Sequence, residues 1–128
     1  MKDSEIDQLN EFLRKNGRKV CFTENSFRDF KSFQKNQRRD ILALIIKPAV
    51  EKNPLLKPDG HGEPLQSPLT GFAKIKPKQM GIRIVYRPKK LENGVIRLEV
   101  IAIGPRDKDE VYRIAAERIS SFKAELDK

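Results

Sequence analysis

Residues 74–112, KIKPKQMGIRIVYRPKKLENGVIRLEVIAIGPRDKDEVY, constrain the fold more than any other part of the chain. Three strand-like runs stand here or at the edge: 72–76 and 82–87, which alternate, and 95–103, which is the most apolar and reads as central. Alternation places Phe72, Lys74 and Lys76 on one face of the first run, with Ala73 and Ile75 on the other. In the second run it separates Arg83, Val85 and Arg87 from Ile82, Ile84 and Tyr86. Glu92-Asn93-Gly94 is a hairpin signal, and Gly104-Pro105 stops the last run. A helix then follows, with Asp107 as its expected cap and Glu110 three residues on. Its inward stripe is Val111, Ile114, Ala115, Arg118, Ile119, Phe122 and Leu126. Between residues 71 and 90 there are seven Lys or Arg and no Asp or Glu. Positive charge that dense on a β framework repels itself unless an anion meets it.

Upstream, residues 4–16 have helical spacing, with Ser4 as cap, Ile6, Leu9, Phe12 and Leu13 as the apolar stripe, and Gly17 as the stop. Val20–Thr23 is a short β-prone run. A second helix starts at Asn25 or Ser26 and carries Phe27, Phe30 and Phe33 on one side, until Asn36 breaks it. A third runs from about Gln37 to Lys52, with Pro48 ending or kinking it. The aromatic stripe at that spacing is core packing. Residues 53–70 are rich in Pro and Gly and read as a long loop, functional or mobile. The order α-β-α-α-β-β-β-α predicts an α+β fold: a helical hairpin packed on a small, mostly antiparallel sheet, with a C-terminal helix and an extra N-terminal helix. The expected division is a helical extension over 1–17 and one domain over 18–128.

Composition narrows the partners. The net charge of +9 points to a polyanion, and the 71–90 window carries most of it. One cysteine, Cys21, excludes an internal disulfide and a cysteine metal cluster, and its place in a β-prone run makes it a core residue. His61, the one histidine, lies in a Gly-rich loop without partners at ligand spacing and reads as a solvated residue. Asp107 and Glu110 read as capping groups, not as a metal site, and Tyr86 as packing. No secretory leader is apparent, and the longest apolar run, 41–46, is too short to span a bilayer. A soluble cytoplasmic protein without a membrane partner is expected.

Lys74 and Lys76, two apart on one strand face, have Cα atoms about 6.6 Å apart, near the phosphate repeat of an extended nucleic acid. Like charges so placed disfavour each other, the condition under which a lysine serves as general base. Arg83 and Arg106 offer planar forks for phosphate oxygens. Arg106 precedes a helix N-terminus, where free amides favour an anion. Tyr112, a turn later, can stack on a base or hold a phosphate. RNA cleavage needs no more than such parts, since the RNA 2′-hydroxyl is itself a nucleophile and cations can stabilise the charge on phosphorus without a metal or cofactor. From spacing alone, plain nucleic-acid binding stays open beside cleavage.

The ordered blocks KIKPKQMGIRIVY (74–86), VIAIGPRDKDEVY (100–112) and AAERI (115–119), with the upstream helical hairpin and the NPLL after it, resemble the RelE toxins of the RelE/ParE superfamily. The likeness extends over about residues 18–122. It implies the RelE-like fold and a toxin of a type II toxin–antitoxin module. Such a toxin is an endoribonuclease that cuts mRNA on the ribosome, inhibits translation, and is silenced by a cognate acidic antitoxin. It further implies that Lys74, Lys76, Arg83, Arg106 and Tyr112 are the catalytic set. Within it Lys76 is the base, Arg83 stabilises the transition state, Arg106 is general acid or phosphate ligand, and Tyr112 stacks on the substrate. Lys78 falls on a further RNA-contacting position. Arg87, Lys89 and Lys90 are expected RNA contacts, with a solvated edge that blocks strand pairing as the other reading. Ile82 departs from the family's aromatic beside Arg83, Pro77 and Pro105 flank site positions, and the 53–70 loop is long. Two alternatives stand beside this one: a ParE-like toxin aimed at a protein such as DNA gyrase, and a non-catalytic RNA-binding protein.

Overall fold

The computed structural model describes residues 3–77 and 80–127. Helix α1 (Ser4–Arg14) is capped by Asp3 and not by Ser4: the Asp3 carboxylate accepts from the amides of Glu5 and Ile6 at 3.0 and 3.2 Å. A carboxylate there satisfies two orphan amides and faces the positive end of the helix dipole. Ile6, Leu9 and Leu13 are buried, while Phe12 is 51% exposed, because the buried stripe is only about one residue wide per turn. Gly17, at φ +67°, turns the chain into β1 (Arg18–Phe22).

Helix α2 (Glu24–Lys31) starts slightly earlier than the sequence suggests, since Thr23 and Ser26 form a reciprocal, buried capping box. The break falls at residues 32–34, and Asn36 lies inside the first turn of α3 (Lys35–Ile46). Pro48 has no amide to donate, and the helix widens into a π-helical turn over Lys47–Glu51.

Strands β2 (Glu63–Pro64), β3 (Ala73–Ile75), β4 (Ile82–Lys90) and β5 (Ile96–Pro105) complete one sheet in the order β1-β5-β4-β3-β2. β1 runs parallel to β5, and the other pairings are antiparallel. β5 is interior and buried almost throughout, as its apolar run predicts, although β4 holds the middle place. Gly94, at φ +90°, makes the β4–β5 turn. The register slips between Val85 and Tyr86, which pair with Ala102 and Val100 and leave Ile101 as a bulge.

Each face of the sheet carries its own core. Ile82, Ile84 and Tyr86 pack with Leu9, Leu13, Phe30, Ile41 and Ile45 of the first three helices. Val85, Ile101 and Ala102 pack with Val111, Ala115 and Phe122 of α4 (Glu110–Leu126). The alternation read from β4 is the one observed. Arg118, predicted inward, makes a two-toothed ion pair with Asp29 of α2 (2.6 and 3.0 Å) and donates to the Ile101 carbonyl, tying α4 to the opposite layer. The start of α4 differs from expectation. Asp107–Asp109 form a 3-10 turn, Lys108 and Asp109 are left-handed, and no side chain caps the helix, so Asp107 is not its cap. Among the described residues, no helix is long and apolar enough to cross a membrane.

Candidate functional site

The β3–β4–β5 register brings the basic residues together. Ile75 pairs with Ile84, and Arg83 pairs with Gly104, two residues before Arg106. Gly81 turns the chain at φ +63°, and its carbonyl accepts from the Arg106 amide at 3.1 Å, which closes this end of the sheet. Lys74, Lys76, Arg83 and Arg106 all line one cavity of about 900 Å³. The fifth expected residue, Tyr112, is not in the lining but stands next to it: the Lys74 ammonium is 6.0 Å from its ring centroid. Arg83 donates to the carbonyl of Ile82 at 3.0 Å. Among the described residues, neither Arg83 nor Arg106 meets a carboxylate, which leaves both forks for an incoming anion.

The other wall is a surprise. Lys47 and Lys52, from the π-helical turn and the residue after it, face the same space, as does His61. The loop that carries His61 is not loose. The amides of His61, Gly62 and Lys57 donate to the carbonyls of Asn53, Leu55 and Gly62 at 2.7, 2.9 and 3.0 Å. Gly60 is required, because a Cβ there would lie 2.3 Å from the Leu55 oxygen. Tyr86, 2% exposed, donates its hydroxyl to the Pro54 carbonyl at 3.0 Å and so fastens the loop to β4. Burial pushes its phenol up to about 12. In a Tyr112→Phe background, alkaline absorbance titration is expected to show the remaining phenol ionising near 12; a midpoint near 10 would show that Tyr86 is not buried.

Among the described residues, the cavity thus gathers six cations, Lys47, Lys52, Lys74, Lys76, Arg83 and Arg106, against one carboxylate, Glu63. Glu63 lies on β2, opposite Lys74, and its oxygen is 3.1 Å from the Lys76 ammonium. That hydrogen bond, with the charges of Lys76, Lys74 and Lys57, holds the Glu63 carboxyl below the usual range. Lys76 is therefore already paired, which sequence reading did not foresee.

The remaining expected contacts lie elsewhere. Arg87 faces α4, where its Nε bonds the fully buried Glu99 at 2.8 Å, its Nη atoms bond Asp127, and its guanidinium covers Phe122 at 4.7 Å. Those partners occupy its fork, in contrast to the forks of Arg83 and Arg106. The hydrogen bond to Asp127 raises its pKa further. Lys89 and Lys90 are exposed at the far end of β4, away from the cavity. Lys78 lies outside the described residues. Cys21 is half-buried on β1, and burial pushes its thiol up, which suits an inert residue. Glu63 was missed because only the β2–β3 register brings it in, and a two-residue strand leaves no periodicity to read; Lys47 and Lys52 were missed because they read as the polar face of a helix.

Similarity to known structures fixes the fold. The chain matches a doubly substituted E. coli toxin RelE in the free state, with TM-score 0.56 and 24% identity over 78% of this chain and 95% of that one. The fold is that of the RelE/ParE toxins. The YoeB/ParE toxin from Agrobacterium tumefaciens matches with TM-score 0.51 and 25% identity over 68% of this chain and 97% of the other. The same E. coli RelE variant in complex with an antitoxin RelB peptide matches with TM-score 0.51 and 23% identity over 78% and 95%. No family model and no curated protein matches the sequence.

Proposed function

We propose that this chain is the toxin of a type II toxin–antitoxin module, an endoribonuclease that cuts mRNA on the ribosome. The observation that carries the reading is the convergence of Lys74, Lys76, Arg83 and Arg106 on one cavity, with Tyr112 beside Lys74. In the reaction the RNA 2′-hydroxyl attacks the adjacent phosphorus. Arg83 and Arg106 hold the phosphoryl oxygens as charge grows on them, and both remain cations throughout. Lys74 neutralises the backbone, and Tyr112 stacks on a base next to the cut. The clustering of cations is unfavourable in the empty site, so it is relieved by substrate or by an acidic antitoxin covering the same surface. The complexed structure that matches this chain holds a RelE toxin with a peptide of its antitoxin, which supports a cognate antitoxin here.

The decisive experiment maps mRNA ends after brief induction. Cuts within translated frames, with growth arrest relieved by a co-expressed acidic partner, are expected. Intact messages during arrest, with loss of DNA supercoiling, would replace this reading with a ParE-like one. Salt-sensitive RNA binding without cleavage would make the chain a plain binding protein.

A further inference from the structure

Arg106 and Tyr112 stand past the end of β5, on a stretch that the sheet holds from one side only. β1 covers the edge of β5 as far as Phe22, opposite Val100. From Ile101 to Pro105, β5 runs on without a strand along that edge. The bulge at Ile101 falls at the start of this stretch, where the ladder is already interrupted. Two side chains take the place of the missing strand. The Asp29 carboxylate accepts from the Ile103 amide at 3.0 Å, and the Arg118 guanidinium donates to the Ile101 carbonyl at 3.0 Å. The two meet round the open edge, Asp29 coming from α2 on one face and Arg118 from α4 on the other. They are joined by two hydrogen bonds, of 2.6 and 3.0 Å.

Neither residue lines the cavity. Their side chains are 18% and 20% exposed. An ion pair so far out of water adds little stability over an apolar pair of the same bulk. What it adds is direction: three hydrogen bonds converge on one carboxylate and fix angle as well as distance. Both partners of Asp29 lead to the site. Ile103 is followed by Gly104, Pro105 and then Arg106, and Arg118 shares α4 with Tyr112. Between these two arms no side chain caps the start of α4, and Lys108 and Asp109 are left-handed. The relation between the arms is therefore set from Asp29.

We propose that Asp29 is a positioning residue of the cleavage site, acting through the Ile103 amide and Arg118. The inference rests on the ribonuclease reading given above. Asp29 touches no substrate. It holds the Arg106 guanidinium, which meets the phosphoryl oxygens, and the Tyr112 ring, which stacks on a base, in one fixed relation. Its loss removes alignment and leaves ground-state binding, because the other cations of the cavity share the work of holding the RNA backbone.

The test uses full-length protein and programmed ribosomes, in single-turnover cleavage well below the melting temperature. Asp29→Ala should cleave about 10²-fold more slowly, the effect of displacing an aligned group by about 1 Å. Binding to ribosomes carrying 2′-O-methyl mRNA should stay close to wild type. Asp29→Asn, which keeps an acceptor for the Ile103 amide, should lose less. The double variant Asp29→Leu with Arg118→Met separates position from stability, since an apolar pair restores packing but no directed bond. It is expected to melt like wild type and to cleave as slowly as Asp29→Ala. Its NMR amide shifts should move between Ile103 and Tyr112 and stay put at Lys89 and Lys90. A double variant that cleaves at the wild-type rate overturns the proposal, because stability would then be the whole role of the pair. So does a loss of binding in parallel with rate. If the double variant does not fold, Asp29→Asn decides, and cleavage at the wild-type rate overturns the proposal there too. A wild type that never cleaves brings down the ribonuclease reading itself, and the part of Asp29 with it.

Discussion

Replacing Arg83 with alanine is expected to abolish growth arrest and to cut mRNA cleavage by about 10²–10³-fold, as removal of one preorganised donor to a developing oxyanion does. The melting temperature should stay within a few degrees of wild type. Among the described residues, Arg83 makes one side-chain hydrogen bond, to its neighbour's carbonyl, and packs no core. Arg106→Ala should behave alike, since its side chain is exposed at the same cavity. Cleavage assays with purified ribosomes and thermal melts on the same preparations check both halves. If Arg83→Ala cut normally, the cavity would not be where phosphate is held.

Arg87, four residues away on the same strand, is expected to do the reverse. Arg87→Ala should destabilise the fold by about 3 kcal/mol, because it strips a partner from the fully buried Glu99 carboxylate. That corresponds to a fall in melting temperature of roughly 10 °C. Activity per folded molecule should be kept. Glu99 retains Arg97 as its other partner, so the loss stays below complete unfolding. Part of the effect is pH-dependent. The hydrogen bond from Arg87 holds Asp127 below its ordinary 3.8. That contribution is therefore fully present above pH 3.8 and is lost as pH falls through the lower, folded value. Urea melts of the two proteins at neutral pH give the difference directly; equal midpoints would show that the buried ion pair does not hold α4 in place.

The contrast between these two arginines shows what the sequence could and could not tell. Strand alternation sorted β4 correctly, and it put Arg83 and Arg87 on one face. Face alone does not decide partner. Arg87 is drawn under α4 by Glu99, Phe122 and Asp127, and no local pattern links those positions. Lys74, Lys76, Arg83 and Arg106 were legible because they flank strong strands whose pairing follows from a hairpin and a Gly-Pro stop. The wall opposite was not legible. Lys47 and Lys52 look like the polar face of a helix until Pro48 changes its pitch, and Glu63 looks like a loop residue until β2 pairs with β3. Helix caps went astray for a related reason: Asp3 and Ser4 are both good caps, and Asp107 is one that two left-handed residues pre-empt.

The parallel pairing of β1 with β5 has a consequence for when the cavity is completed. Arg18 finds its partner in Ile96, so the first strand has no place in the sheet until the last has been made. Contacts that distant in sequence form slowly, and here they also form in order of synthesis. Arg106 and Tyr112 come later still. A ribosome making this chain therefore carries a nascent polypeptide whose basic cleft does not yet exist.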